Sequence, residues 1–201
     1  FMLAGGLAVA QSGFNLLTNG NFEAGFSAYP VGLVASGWTP FVMPSGVSPV
    51  FGQGSGRTGS GQTLQSGYSY RAGVYQVITG LTPGTVYRAG FFTLLPEAGV
   101  PITPLVGISP LGDTDPITGL IAWSNAWTRQ GEWTQVTITF TASSDIASVF
   151  LRIDQGDAGT PITVVLDDAY LRPAGTAGRP LLPLVIHNHP LPTPTPSPTA
   201  T

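Results

Sequence analysis

The sequence predicts an all-β protein, a jelly-roll β-sandwich of two antiparallel sheets with extended N- and C-terminal arms. Three observations predict it. Through residues 13–173, short apolar runs alternate with turns rich in Gly, Pro, Asn and Ser, in a chain of 201 residues with 27 glycines and 19 prolines. Several runs alternate large apolar with polar residues at period two, as a strand with one buried face requires. No segment carries a convincing 3.6-residue period. Strands at regular spacing with turn signals between them indicate a sandwich or jelly roll.

The elements follow in order. Val74-Tyr75-Gln76-Val77-Ile78 reads as a strand that runs into Gly80-Leu81-Thr82-Pro83-Gly84-Thr85. Pro83-Gly84 suits the two central positions of a type II turn, where proline fixes φ and glycine accepts a positive one. Thr85 to Leu95 then reads as the returning strand. Trp133 to Phe140 is a half-buried strand, with Trp133, Gln135, Thr137 and Thr139 on one face and Thr134, Val136, Ile138 and Phe140 on the other. Ala147 to Ile153 and Ile162 to Leu171 complete the expected strands. Gly54-Ser55-Gly56-Arg57-Thr58-Gly59 matches G-x-G-x-x-G. A dinucleotide site needs a helix after it, and Ser60-Gly61-Gln62-Thr63-Leu64 is not one, so a loop or turn is expected.

Three parts are expected: an apolar arm over residues 1–12, the β-domain over 13–173, and a tail over 174–201. Charged residues make up 8% of the chain, against roughly 25% in an average globular protein. Lysine is absent, the seven basic residues are all arginine, and the net charge is −3. No cluster of cations is present to neutralise phosphates, which argues against nucleic-acid binding. No apolar run reaches the ~18 residues of a membrane-spanning helix. Without cysteine there is neither a disulfide framework nor a thiolate metal site.

Asn15-Leu16-Leu17, Asn19-Gly20-Asn21-Phe22-Glu23 and Gly37-Trp38 resemble the opening of carbohydrate-binding-module-like jelly rolls with the galactose-binding-like fold. Gly73 to Val77 with Gly80 to Thr85 and Tyr87 looks like their central hairpin. Trp133-Thr134-Gln135-Val136 and Leu166-Asp167-Asp168-Ala169-Tyr170-Leu171 match their last strands. The resemblance covers about residues 14–172, and its motifs specify the fold more than sugar binding. It implies that the first and last strands lie together. It also implies a structural Ca2+ held by Glu23, by Asp167 or Asp168, and by backbone carbonyls, an oxygen set that suits this ion. The alternative is that Asp167 and Asp168 point to opposite faces. Trp38 and Trp133 occupy positions usual for a core.

Sugar rings stack on exposed aromatic faces while polar groups read their hydroxyls. Tyr68, Tyr70, Trp123 and Trp127 are the candidates, with core packing or subunit contact as the alternative. No enzyme is expected. Acidic residues are few, no G-x-S-x-G elbow is present, and the two histidines, His187 and His189, lie in the tail, where they read as a polar edge.

The ends suggest assembly. In FMLAGGLAVA the large side chains Phe1, Leu3, Leu7 and Val9 fall on odd positions and small ones mostly on even positions. Such a strand suits an apolar groove of a neighbouring sandwich by strand addition, and head-to-tail contacts that do not close make filaments. Ala8-Val9-Ala10 also fits the cleavage pattern of a secretion signal. Leu184 and Ile186 lie in a second apolar stretch. Beyond it, proline alternates with hydroxyls, so Thr193, Thr195, Ser197 and Thr199 are expected O-glycan carriers. The first expectation is therefore a structural subunit of an extracellular filament or surface assembly: a homo-oligomeric polymer, glycosylated, extracellular or at the cell surface. The second is a secreted, non-catalytic carbohydrate-binding module of a larger surface protein.

Overall fold

The computed structural model describes residues 14–175 apart from 45, 118–119 and 126–128. Among them are twelve strands and no helix. The strands are β1 (Phe26–Tyr29), β2 (Gly32–Ala35), β3 (Thr39–Val42), β4 (Val50–Ser55), β5 (Ser60–Ser66), β6 (Tyr70–Thr79), β7 (Val86–Leu94), β8 (Ile102–Ser109), β9 (Ala122–Trp123), β10 (Trp133–Thr141), β11 (Ile146–Gln155) and β12 (Ile162–Pro173). They form two sheets, one of seven strands in the order β1-β2-β4-β5-β12-β7-β10 and one of five in the order β3-β6-β11-β8-β9. The expected all-β sandwich is present. One neighbour pair departs from the antiparallel rule: β2 meets β4 in parallel through Gly32 and Phe51. That approach needs glycine, because Gly32 has φ +121° and a Cβ there would collide with the Phe51 carbonyl.

The alternating runs of the sequence become β6, β7, β10, β11 and β12. The turn at Pro83-Gly84 closes through Thr85 N–H to the Thr82 carbonyl at 3.1 Å, with Gly84 at φ +81°. On β6, Tyr70, Ala72, Val74, Gln76 and Ile78 are buried, while Arg71 and Val77 are exposed and Tyr75 is half-buried. The core between the sheets takes Val34, Phe51, Leu64, Phe91, Val136, Val164 and Leu166 from the larger sheet. The smaller sheet contributes Ala72, Val74, Val106, Ile108, Val149, Leu151 and Ile153. Each large side chain so buried is worth roughly 1.5–3 kcal/mol against exposure to water. Trp38 belongs to this core, with its ring 5.5 Å from that of Phe22 and its indole N–H on the Asn19 carbonyl at 3.1 Å. Trp133 does not. It lies opposite Leu94 on the outer side of the larger sheet, half-buried, because strand parity places it with Gln135 and Thr137.

Two buried glutamines stitch loop to strand. Gln62 accepts the Ala35 N–H at 2.9 Å and donates to the carbonyls of Leu33 and Gly52, both at 3.0 Å. Gln76 accepts the Thr18 N–H at 3.0 Å. The first and last segments lie side by side, as the resemblance implies. Asn15 donates to the Ala169 carbonyl at 2.8 Å and accepts the Leu171 N–H at 3.0 Å. Leu16 N–H reaches the Leu171 carbonyl at 2.8 Å, and Ala169 N–H the Gly20 carbonyl at 2.7 Å.

Candidate functional site

The outer face of the five-stranded sheet carries a second apolar cluster, separate from the core. Phe41, Ile121 and Phe150 are its buried members, with Met43, Tyr75 and Trp123 packed on them. Strand register explains how residues so distant in sequence meet. Thr39 lies opposite Tyr75, Tyr75 opposite Phe150, Phe150 opposite Gly107, and Gly107 opposite Trp123. This makes one row across all five strands. The Tyr75 ring stacks on Phe150 with centroids 5.2 Å apart, and Trp123 tilts against Phe150 at 6.0 Å. Gly107 makes room for the indole, since a Cβ there would stand 2.5 Å from a Trp123 ring carbon.

The next rows turn polar. Phe41, Gly73, Arg152 and Leu105 form one, and Arg71, Asp154 and Thr103 the other. The Arg152 guanidinium lies over the Trp123 ring at 4.2 Å, a cation–π contact that fixes both side chains. It also clamps Asp154 at two points, Nε to Oδ1 at 2.8 Å and Nη2 to Oδ2 at 2.9 Å. Arg71 Nε stands 3.7 Å from Asp154 Oδ2. Here, at the starts of β6 and β8 and the end of β11, a cavity of about 440 Å³ opens. Its lining includes Arg71, Thr103 and Asp154, together with Tyr70 and Gln155. The Tyr70 hydroxyl and the Gln155 side-chain carbonyl are buried and have no hydrogen-bond partner. Burial, reinforced by the charge of Asp154, pushes the Tyr70 phenol well above its ordinary pKa.

The expected calcium ligands meet at a different place, around the β4–β5 turn. Gly56-Arg57-Thr58-Gly59 closes by Gly56 N–H to the Gly59 carbonyl at 2.9 Å, so the glycine-rich match is a hairpin turn. Asp167 is fully buried. Its Oδ2 accepts the N–H groups of Arg57 at 2.7 Å and Thr58 at 3.2 Å, and its Oδ1 that of Asp168 at 2.7 Å. Glu23 Oε1 accepts the Ser60 N–H at 2.6 Å. A bulge between Asp167 and Tyr170, with Asp168 at φ +47°, turns Asp168 away to pair with Arg57 Nη1 at 2.8 Å. Burial raises the Asp167 pKa, and the three N–H bonds oppose that shift. Among the described residues no three His, Cys, Asp or Glu side chains stand together in a way that suits a metal ion. Glu23 and Asp167 thus flank one turn, while Asp168 is committed to Arg57. A carboxylate offers about four lone-pair sites, so both flanking groups keep acceptor capacity for a cation.

The sugar-platform candidates divide. Trp123 sits on the aromatic row. Tyr70 cannot be a platform, because strand parity points it inward and it is 1% exposed. Tyr68 is exposed, in the turn between β5 and β6, off the row. Trp127 lies outside the described residues, as do Phe1, Leu3, Leu7, Val9, Leu184, Ile186, both histidines and the tail hydroxyls. Tyr75 and Phe150 were not expected here. The signal for Tyr75 was its parity on β6, out of step with Val74 and Gln76.

No family model matches the chain, and no curated protein matches it. Solved structures do match. A family 61 carbohydrate-binding module in complex with β-1,4-galactotriose superposes with a TM-score of 0.54 at 17% identity, covering 80% of this chain and 99% of that one. The C-terminal family 22 carbohydrate-binding module of a Clostridium thermocellum xylanase gives 0.52 at 13% identity, covering 82% and 98%. A family 22 xylan-binding domain from Paenibacillus barcinonensis gives 0.51 at 16%, covering 82% and 97%. In architecture, the chain is a carbohydrate-binding-module-like jelly roll.

Proposed function

We propose that this chain is a non-catalytic carbohydrate-binding module that holds a glycan across the outer face of its five-stranded sheet. The observation that carries the reading is the row of Tyr75, Phe150 and Trp123 across three strands. Tyr75 and Trp123, half-buried and seated on the fully buried Phe150, set an apolar floor beside the charged pair Arg152 and Asp154. A sugar presents C–H faces to such a floor and hydroxyls to such a pair. The likeness to glycan-binding modules favours this role over that of a filament subunit, whose joining residues lie outside the described part of the chain. An extracellular or surface setting suits it.

Affinity electrophoresis in gels containing soluble β-galactan or xylan tests the reading. Tyr75→Ala and Trp123→Ala are each expected to weaken retention at least about tenfold, equivalent to about 1.4 kcal/mol. Full retention in both variants, or loss on Tyr68→Ala instead, would move the site elsewhere.

We also propose that Glu23 and Asp167 hold a structural Ca2+ with backbone carbonyls of the β4–β5 turn. What supports it is the convergence of two carboxylates, one fully buried, on a single turn. The ion would supply charge compensation and order, not chemistry.

A further inference from the structure

We infer that the cavity at the polar end of the aromatic row takes the carboxylate of an acidic sugar, so that the module prefers uronate-bearing polysaccharides over neutral ones. The inference rests on the glycan-binding reading of this face and names its ligand class. Three observations carry it. First, the charge in the cavity region does not balance. Asp154 is clamped at two points by Arg152, whose side chain is only 12% exposed. The opposite charges of that pair offset each other and leave Arg71, 54% exposed and 3.7 Å from Asp154 Oδ2, as a surplus cation at the cavity wall. Second, cations are scarce in this protein. Seven arginines are its whole supply of permanent positive charge, and two of them, Arg152 and Arg71, lie in the first and second rows beyond the aromatic row. Third, residues that line the cavity carry buried polar atoms without a hydrogen-bond partner. The Tyr70 hydroxyl is a buried donor without an acceptor, and the Gln155 carbonyl a buried acceptor without a donor. Thr103 adds a hydroxyl on the opposite wall. A carboxylate matches the Arg71 guanidinium in charge and geometry, and the ring hydroxyls beside it can meet the Thr103 hydroxyl. At about 440 Å³ the space falls in the usual range of small-ligand sites.

The test is a panel of polysaccharides titrated into the whole chain: polygalacturonate, alginate and hyaluronan against β-galactan, xylan and dextran. At low salt, at least one acidic polymer is expected to bind about tenfold or more tightly than any neutral one. Methyl esterification of the uronate carboxylates should remove the preference. High salt, about 0.5 M, should shrink it, because an exposed cation is screened. Arg71→Ala should collapse the acidic-to-neutral ratio about tenfold, and Arg71→Lys should restore part of it. An unchanged melting temperature in Arg71→Ala would show that the loss is not unfolding. Equal binding of acidic and neutral polymers, or a preference that survives Arg71→Ala, overturns this inference and leaves glycan binding standing. Absence of binding to every polymer overturns both.

Discussion

At the scale of single residues, Asp167 joins the fold to the proposed ion site. Its carboxylate is buried, and burial raises its pKa despite three N–H donors. A group whose folded pKa lies above its unfolded value contributes stability at pH below that unfolded value and loses it as pH rises through the folded one. With chelator present, Asp167 should therefore favour the folded state more near pH 4 than at neutrality. A bound cation reverses the preference, because it selects the ionised form. Asp167→Asn is expected to flatten the first trend and to abolish any rise in melting temperature on adding Ca2+. Differential scanning fluorimetry from about pH 4 to 8, with Ca2+ and with chelator, reads both. A wild-type melting temperature indifferent to Ca2+ across that range would remove the ion from the account. The motif that suggested Glu23, Asp167 and Asp168 as one set was legible in the sequence. The bulge that separates Asp168 from Asp167 was not, since a positive φ at an aspartate leaves no mark on composition.

At the scale of elements, strand register decides which side chains share a surface. Arg88 of β7 stands directly opposite Arg172 of β12 on the outer face of the larger sheet, and neither has an ion-pair partner among the described residues. Arg172 lies over the Tyr170 ring at 4.8 Å, whereas the Arg88 contact to Thr137 is long, at 3.5 Å. Like charges directly opposite in an antiparallel pair destabilise it, by roughly 0.2–1 kcal/mol. Removing Arg88 relieves the repulsion and keeps the Arg172 stack. Arg88→Thr is expected to raise stability to urea by about 0.5 kcal/mol at low salt, and the gain should fade at high salt. A loss of stability would show that the long Thr137 contact outweighs the repulsion. The same register governs what the sequence reveals. β10 alternates cleanly because, after Trp133, its outward residues Gln135, Thr137 and Thr139 are polar, and its boundaries are close to those read from periodicity. β8 is buried on nearly every residue, so it shows no alternation. β1 to β5 are short or rich in glycine. The aromatic row was hidden for a related reason: Tyr75, Gly107, Trp123 and Phe150 come from four strands, and period-two reading sees one strand at a time.

At the scale of the whole molecule, the sandwich separates two roles. Its interior is filled by the inward residues of both sheets, Trp38 and Phe22 among them. Its proposed ligand face is assembled from the residues left over by that packing: Gly107 makes room for the Trp123 indole, and Gly73 lets the backbone of the neighbouring strand approach closely at Leu151. This explains why the fold was readable and the site only partly so. Core positions recur with strand period, while Tyr70, also aromatic and on the same strand as Tyr75, falls on the wrong parity by one residue.

The pairing of the first segment with β12 has a mechanical consequence. Asn15 and Leu16 bond to Leu171, and Gly20 bonds to Ala169, so the two segments run in opposite directions with Phe14 and Pro173 at the same end. Tension applied at these two points loads the bonds one after another, as in opening a zipper, instead of sharing the load among them. Pulled in an optical trap by handles at Phe14 and Gly175, the molecule should yield at a lower force than when gripped across the β6–β11 pair. A higher force would mean that the core around Leu17 and Phe22, and not the backbone pairing, carries the load.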